Sequence, residues 1–353
     1  MNRNHGFVLG KFCPFHRGHQ LLVEAALREC GRVTLLVYPC SFYHIPLSVR
    51  ANWIRNLYPE VEVIEGWGGP ESTGNTPEIM REQEAFIKRM LGSRKITHFF
   101  SSEFYGEHVS RALGAIDRRV DEARKAIPIS GTDIRTAPFQ NRKFVSPVVY
   151  RDLIVKVVFL GSVSTGKSTL AEKLACRHST AFVPEYGREY WETHQVERRL
   201  TLEQLEEIGD GHLMREESAF LESDKVCFID TNAMTTRMFA MDYHGTSTKR
   251  LDALADACAA RYDLFFLCGD DIPYADTWDR SGDVKRHEFQ SRIIADLEAR
   301  HIPYIPLRGS LDERMATVDH VLSAYIPYSN FFGVAAETNF NLNAKRCDCE
   351  TNK

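Results

Sequence analysis

Short apolar runs alternate along this chain with longer stretches whose apolar residues recur at helical spacing. Residues 6–9 form the first apolar run, and a turn over 10–18 leads into a helical pattern that begins at His19. Residues 32–38 read as the next strand. Helices are predicted over 50–58 and 76–91, with strands at 61–64 and 96–101. Strand, helix, strand in repetition implies a parallel sheet covered on both faces.

The pattern restarts after Ser146-Pro147. A β-branched strand at 153–160 feeds a helix at 168–176, followed by a polar helical stretch at 201–223 and a strand at 226–229. A helix at 249–261, a strand at 264–268, a helix at 284–300 and a strand at 303–306 complete the series. Residues 141–152 are the expected linker. From about residue 327 the sequence turns polar and loses periodicity, so 328–353 are expected to form a disordered tail. The expected fold is α/β, two doubly wound parallel-sheet domains covering 1–147 and 148–327.

A chain of 353 residues agrees with two domains that each bury a core. Basic and acidic residues nearly cancel, 44 against 48, so no whole-chain field draws it to nucleic acid or anionic membrane. No apolar run approaches the roughly 20 residues of a membrane span, and the one near the N-terminus is too short for a signal peptide. The expectation is a soluble, cytoplasmic protein with neither nucleic acid nor membrane as partner; a homo-oligomer is left open. Nine cysteines, an odd number, are scattered through a chain that has no need of staples. Reduced thiols are expected, and Cys347 and Cys349 lack the second ligand pair of a structural zinc site.

Two strand-to-helix turns carry candidate chemistry. In the first, Gly10-Lys11-Phe12-Cys13-Pro14-Phe15-His16-Arg17-Gly18-His19, two imidazoles flank a glycine at the mouth of a helix. Unpaired amides and the helix dipole suit an anion there. Either histidine alone reads better as a packed or capping side chain, but the whole string favours phosphate binding.

The second turn, Gly161-Ser162-Val163-Ser164-Thr165-Gly166-Lys167-Ser168-Thr169, fits the P-loop pattern between an apolar strand and a helix. Its amides cradle a β-phosphate, Lys167 bridges β and γ, and Ser168 offers a hydroxyl to magnesium. Asp230 ends the strand at 226–229, as a magnesium-side carboxylate, a base, or a plain turn former. Arg280 lies in a glycine-containing polar stretch, either a lid arginine that stabilises the transferring phosphoryl group or a solvated surface residue.

The first string resembles the H-x-G-H nucleotidyltransferase superfamily, whose second signature, ISxTxxR, appears as Ile129-Ser130-Gly131-Thr132-Asp133-Ile134-Arg135. The resemblance implies adenylyl transfer, with a Rossmann-like first domain. ATP would be held by Gly10, Lys11, Phe12, His16, Gly18 and His19, and Ser130, Thr132 and Arg135 would hold the phosphates that leave as pyrophosphate. Further stretches resemble the NadR-type family in order and spacing. In the first half these are Ser48-Val49-Arg50-Ala51-Asn52-Trp53, Phe100-Ser101-Ser102-Glu103-Phe104-Tyr105-Gly106 and Val120-Asp121-Glu122-Ala123-Arg124. In the second half they are Pro184-Glu185-Tyr186-Gly187-Arg188-Glu189-Tyr190-Trp191, Phe228-Ile229-Asp230-Thr231-Asn232 and the helix with Glu288-Phe289-Gln290.

That family implies a bifunctional enzyme of NAD salvage. A P-loop kinase half phosphorylates nicotinamide riboside with ATP and Mg2+, and the first half joins nicotinamide mononucleotide to AMP, giving NAD. Arg50, Trp53, Glu103 and Tyr105 would then contact the mononucleotide, with Trp53 either stacking on the pyridinium or sitting in the core. Glu185, Tyr186, Arg188, Asp230 and Asn232 would meet the riboside, although an amphipathic helix start has the same composition. The magnesium ligands would be Ser168 and Asp230. Asn232 stands where the family has a carboxylate, which concentrates base and metal roles on Asp230. The helix-turn-helix domain of several relatives has no counterpart here, so no DNA binding is expected. Two alternatives are an adenylyltransferase for another phosphorylated acceptor fused to a separate small-molecule kinase, and a nucleotide sensor without turnover.

Overall fold

A computed structural model describes residues 3–40, 45–70, 74, 76–102, 106–197, 199–273, 283–325, 327 and 328, with backbone alone at 283–285. The chain divides into two compact units, Met1–Tyr150 and Arg151–Tyr325. The first contains β1 (His5–Gly10), α1 (Arg17–Glu29), β2 (Arg32–Val37), α2 (Leu47–Leu57), β3 (Glu62–Glu65), α3 (Pro77–Leu91), β4 (His98–Ser101), α4 (Gly106–Leu113), β5 (Ile116–Arg119) and α5 (Gly131–Thr136). It ends within α6 (Pro147–Arg151). The strands run parallel in the order β3-β2-β1-β4-β5.

Strand β1 sits at the centre because Phe7 and Val8 are completely buried, as are Leu35 and Leu36 of its neighbour β2. Chain order reverses at β1, and in such sheets ligands bind beyond the carboxyl ends of the strands at that crossover. Strand β5 is Ile-Asp-Arg-Arg, with no apolar run to predict it; pairing with β4 makes it a strand. The stretch expected as linker is packed rather than open. It forms a 3₁₀ turn at Arg142–Phe144 and then α6, and it buries Val145, Val149 and Tyr150.

The second unit contains β6 (Val155–Leu160), α7 (Lys167–His178), β7 (Phe182–Val183), α8 (Tyr186–His194), α9 (Leu202–Glu222), β8 (Val226–Asp230), α10 (Ala233–His244), α11 (Lys249–Arg261), β9 (Leu264–Cys268), α12 (Asp283–Ala299), β10 (Ile305–Leu307) and α13 (Leu311–Ala324). Its strands are also parallel, in the order β10-β9-β6-β8-β7. Central β6 shares a core with α7 and α13 through Val157, Phe159, Leu170, Leu174, Met315 and Val318. Strand β10 starts two residues later than the predicted strand: Pro303 has no N–H for a ladder, and Pro306 is tolerated because β10 is an edge. Among the described residues no helix is long and apolar enough to cross a membrane. The expected tail lies almost wholly outside them.

Candidate active sites

The first site is built where β1 turns into α1. His16 is the N-cap of α1: its Nδ1 accepts the Gly18 N–H at 3.1 Å, while His19 Nδ1 accepts the His16 N–H at 3.3 Å. An imidazole that accepts at Nδ1 and is neutral carries its proton on Nε2. Burial keeps both rings neutral, pushing His16 down to about 4 and His19 well below the usual histidine range. The rings stack with centroids 3.7 Å apart, so two Nε2–H donors are held side by side. Gly18 is required for this packing, since a Cβ there would stand 3.0 Å from His16 Cε1.

Around the imidazoles lies a cavity of about 490 Å3, lined among others by Gly10, Lys11, Phe12, Cys13, Arg124 and Arg135. The second signature closes onto it. Arg135, on α5, donates through Nη1 to the Cys13 carbonyl at 2.7 Å and through Nη2 to Thr132 Oγ1 at 2.9 Å. Ser130 differs from its expected role, because its hydroxyl and amide are engaged with Asp133 in a capping box that starts α5. Asp121 shapes the opposite wall by accepting the amides of Lys125, Ala126 and Ile127. Arg124, on that loop, lines the cavity, and its charge depresses both histidines; only its place within a stretch that resembles the family could have pointed to it.

Two expected mononucleotide contacts are corrected. Trp53 is 1% exposed and Arg50 2%, and neither lines the cavity. Both face inward from α2, where the helix buries its apolar stripe. Arg50 donates to the carbonyls of Lys11, Tyr38 and Ile45, so it ties the loops after β1 and β2 together from beneath. Glu103 and Tyr105 lie outside the described residues.

In the second unit the loop after β6 has the twist of a phosphate cradle. Gly161, Ser164 and Gly166 all take positive φ, and a Cβ on Gly161 would come within 2.8 Å of the Cys268 carbonyl. Lys167 Nζ donates to the Ser162 carbonyl at 3.0 Å. Ser168 Oγ donates to Asp230 Oδ2 at 2.5 Å. Asp230 is fully buried and its Oδ1 has no hydrogen-bond partner. Burial, with the Glu185 charge nearby, pushes its carboxyl up to about 6 despite Lys167. A hydroxyl beside a carboxylate with a spare oxygen fits a hard divalent cation that takes its remaining ligands from phosphate and water. No cluster of three protein ligands exists among the described residues.

Thr165 turns its hydroxyl back to the Ser162 carbonyl, and Thr169 follows Ser168 in the first turn of α7. Glu185 caps the start of α8 and pairs with Arg188 at 3.4 Å, while Tyr186 stacks under Arg215. Asn232 caps α10 through its Oδ1, which accepts the Met234 N–H, while its buried Nδ2 has no hydrogen-bond partner. Arg280 lies outside the described residues. Three groups had no signal in the sequence. Arg286 donates to the Ser164 carbonyl, Arg314 donates to the Thr165 carbonyl, and His212 is buried near Glu185 and held down to about 4. None belongs to a motif, since each reaches the site from a distant helix.

Comparison with known proteins follows the same division. Residues 7–137 match the family model described as cytidylyltransferase-like, and residues 156–314 match one described as an AAA domain. The trifunctional NAD biosynthesis/regulator protein NadR of Escherichia coli K12 is 28% identical over 330 residues, covering 85% of this chain and 78% of the relative. Its counterpart in Salmonella typhimurium LT2 is 27% identical over 326 residues, 87% of this chain and 79% of the relative. Among solved structures, a NadR protein in complex with NR aligns at a TM-score of 0.53 and 23% identity over 91% of this chain and 95% of that one. A NadR protein in complex with NAD and AMP-PNP aligns at 0.51 and 22% over 90% and 95%. At such identities the structures speak for the fold. With both halves matched in order and the relatives running through both, the chain is similar to NadR proteins along most of its length and consists of a nucleotidyltransferase-like domain followed by a P-loop domain.

Proposed function

We propose that the chain is a bifunctional NAD salvage enzyme: its second unit phosphorylates nicotinamide riboside with ATP, and its first unit adenylylates nicotinamide mononucleotide with ATP to give NAD and pyrophosphate. One observation carries this reading. Each unit presents a set of phosphate donors at the carboxyl end of its central strand, and the two sets suit different phosphates of ATP.

In the first unit the paired Nε2–H donors of His16 and His19 arise from neutral imidazoles. They are suited to stabilise the α-phosphoryl group as negative charge builds on it, with Arg135, Thr132 and Lys11 on the departing pyrophosphate. A mononucleotide phosphate oxygen attacks the α-phosphorus and the bond to pyrophosphate breaks. Positioning and charge stabilisation suffice, without a covalent enzyme intermediate. In the second unit the P-loop amides and Lys167 hold the β- and γ-phosphates. Ser168 and Asp230 would hold Mg2+, which, when bound, offsets charge on the transferring phosphoryl group. Asp230, or Glu185 whose charge acts on it, would take the proton from the riboside hydroxyl. The names of the relatives support the choice of nicotinamide substrates.

The test is to incubate the purified chain with nicotinamide riboside and Mg-ATP and to follow mononucleotide, NAD and pyrophosphate. Mononucleotide is expected first, then NAD and pyrophosphate in equal amounts. Lys167→Ala should abolish the first step alone. His19→Ala should slow the second by about 10²–10³-fold. Absence of either product from the native chain would refute the corresponding half.

A further inference from the structure

Cys13 and Cys40 leave the central sheet at matching positions. The β1–β2 register pairs Gly10 with Val37, and each cysteine stands three residues beyond its member of that pair. Neighbouring strands are about 4.8 Å apart, a spacing within the Cα range of disulfides. Arg50 fixes the two loops at this separation by donating to the carbonyls of Lys11 and Tyr38, and its charge is felt by both thiols. The Cys13 thiol is hydrogen-bonded to Cys40. Both carry thiols in this structure; Cys13 is buried and lines the first cavity, whereas Cys40 is half-buried and does not line it.

We propose that Cys13 and Cys40 form a reversible intramolecular disulfide under peroxide, and that this bond switches off the first site. The more exposed Cys40 thiolate attacks a peroxide oxygen, the O–O bond breaks, and a sulfenic acid and water result. The Cys13 sulfur then displaces the sulfenic oxygen, its proton leaving with that oxygen as a second water. Two electrons pass from the thiols to the peroxide, and the S–S bond is the only new bond on the protein. The Cys40 contact and burial push the Cys13 thiol well above its ordinary range, so Cys13 stays protonated and acts as the resolving thiol, while Arg50, whose charge is felt by both sulfurs, favours the thiolate at Cys40.

Closing the bond draws sulfurs from hydrogen-bond contact to about 2.05 Å. The part of that movement taken up by the Cys13 backbone shifts the carbonyl that anchors Arg135, between Lys11 and His16. A displacement of about 1 Å in such a site costs up to about 10²-fold in rate. The effect on catalysis rests on the adenylyl transfer proposed above, whereas formation of the bond does not.

The experiment treats the full chain with hydrogen peroxide, alkylates the remaining thiols, maps disulfides by mass spectrometry, and assays both reactions before and after dithiothreitol. The expected result is a Cys13–Cys40 crosslink with NAD formation from mononucleotide reduced at least tenfold, riboside phosphorylation retained, and recovery on reduction. Cys40→Ser should keep the untreated rate and resist peroxide. No crosslink between these two cysteines, pairing with a tail cysteine instead, or a crosslinked chain with unchanged NAD formation would overturn the proposal. A reduced chain that makes no NAD would instead overturn the proposed adenylyl transfer, and the crosslink would then be judged by its mapping.

Discussion

The side-chain amide of Gln290 accepts the Ser162 N–H at 2.8 Å, so α12 holds the P-loop backbone directly. The same amide donates to the Cys268 carbonyl at 3.0 Å, which spans β9 and the loop after β6. All of these groups are buried, and removing the amide leaves an amide N–H and a carbonyl unpaired. Each such group costs about 1–3 kcal/mol. Gln290→Ala should therefore lower kcat/KM for riboside phosphorylation about tenfold or more, chiefly through KM for ATP. Adenylyl transfer should not change. Steady-state assays of each reaction separately decide the matter, and equal losses in both would contradict it.

Arg50 acts as a strut, and its replacement should show as instability. Arg50→Met removes the donor from the carbonyls of Lys11, Tyr38 and Ile45 inside the first unit. Charged hydrogen bonds contribute about 1.5–3 kcal/mol each, so a loss upwards of about 3 kcal/mol is expected. Thermal melting should show an early transition while riboside phosphorylation survives below it. A variant that melts like the native chain but binds mononucleotide weakly would restore Arg50 as a ligand contact.

Asp230 should trade stability against activity. Its carboxyl is raised to about 6 by burial and by Glu185, so at pH 7 the fold carries a buried charge that it resists. The folded form holds its proton to a higher pH than the unfolded chain, so this group's contribution worsens as pH rises from about 4 to 6. Asp230→Asn keeps an acceptor for Ser168 and removes the charge. Its urea midpoint at pH 7 should rise while phosphorylation is lost; a lower midpoint would show that the charge is compensated in the folded chain.

His16 predicts the opposite slope. Its folded value is depressed to about 4, so the unfolded chain takes up the proton first, below about pH 6.5. The stability linked to it is complete above that pH and is lost as pH falls towards 4. His16→Asn retains an N-cap acceptor without a titrating ring. Urea midpoints from pH 7 to 4 should fall less steeply in the variant, and identical slopes would mean that His16 is solvated in the folded chain.

Much of both sites was legible in the sequence because their chemistry is local. A strand, a tight turn and a helix start lie within about a dozen residues, and the amides, His16, His19 and Lys167 follow from that connection alone. Trp53 and Arg50 misled because residue type does not reveal which face of α2 turns inward. Asn232, expected at the riboside, also closes the first turn of α10 through its oxygen, a role that residue type alone does not reveal. Arg286 and Arg314 carried no signal because they reach the P-loop across more than a hundred residues of chain.

The sequence by itself determined the two α/β halves, their order and the strand-to-helix turn in each that carries the candidate site, since apolar period and glycine placement act over short distances. Only the tertiary structure decided which imidazole nitrogen remains for a ligand, which arginine is a strut, and which two thiols meet. Those outcomes depend on burial and on partners brought in by parallel pairing, and parallel strands join residues that the chain itself keeps far apart.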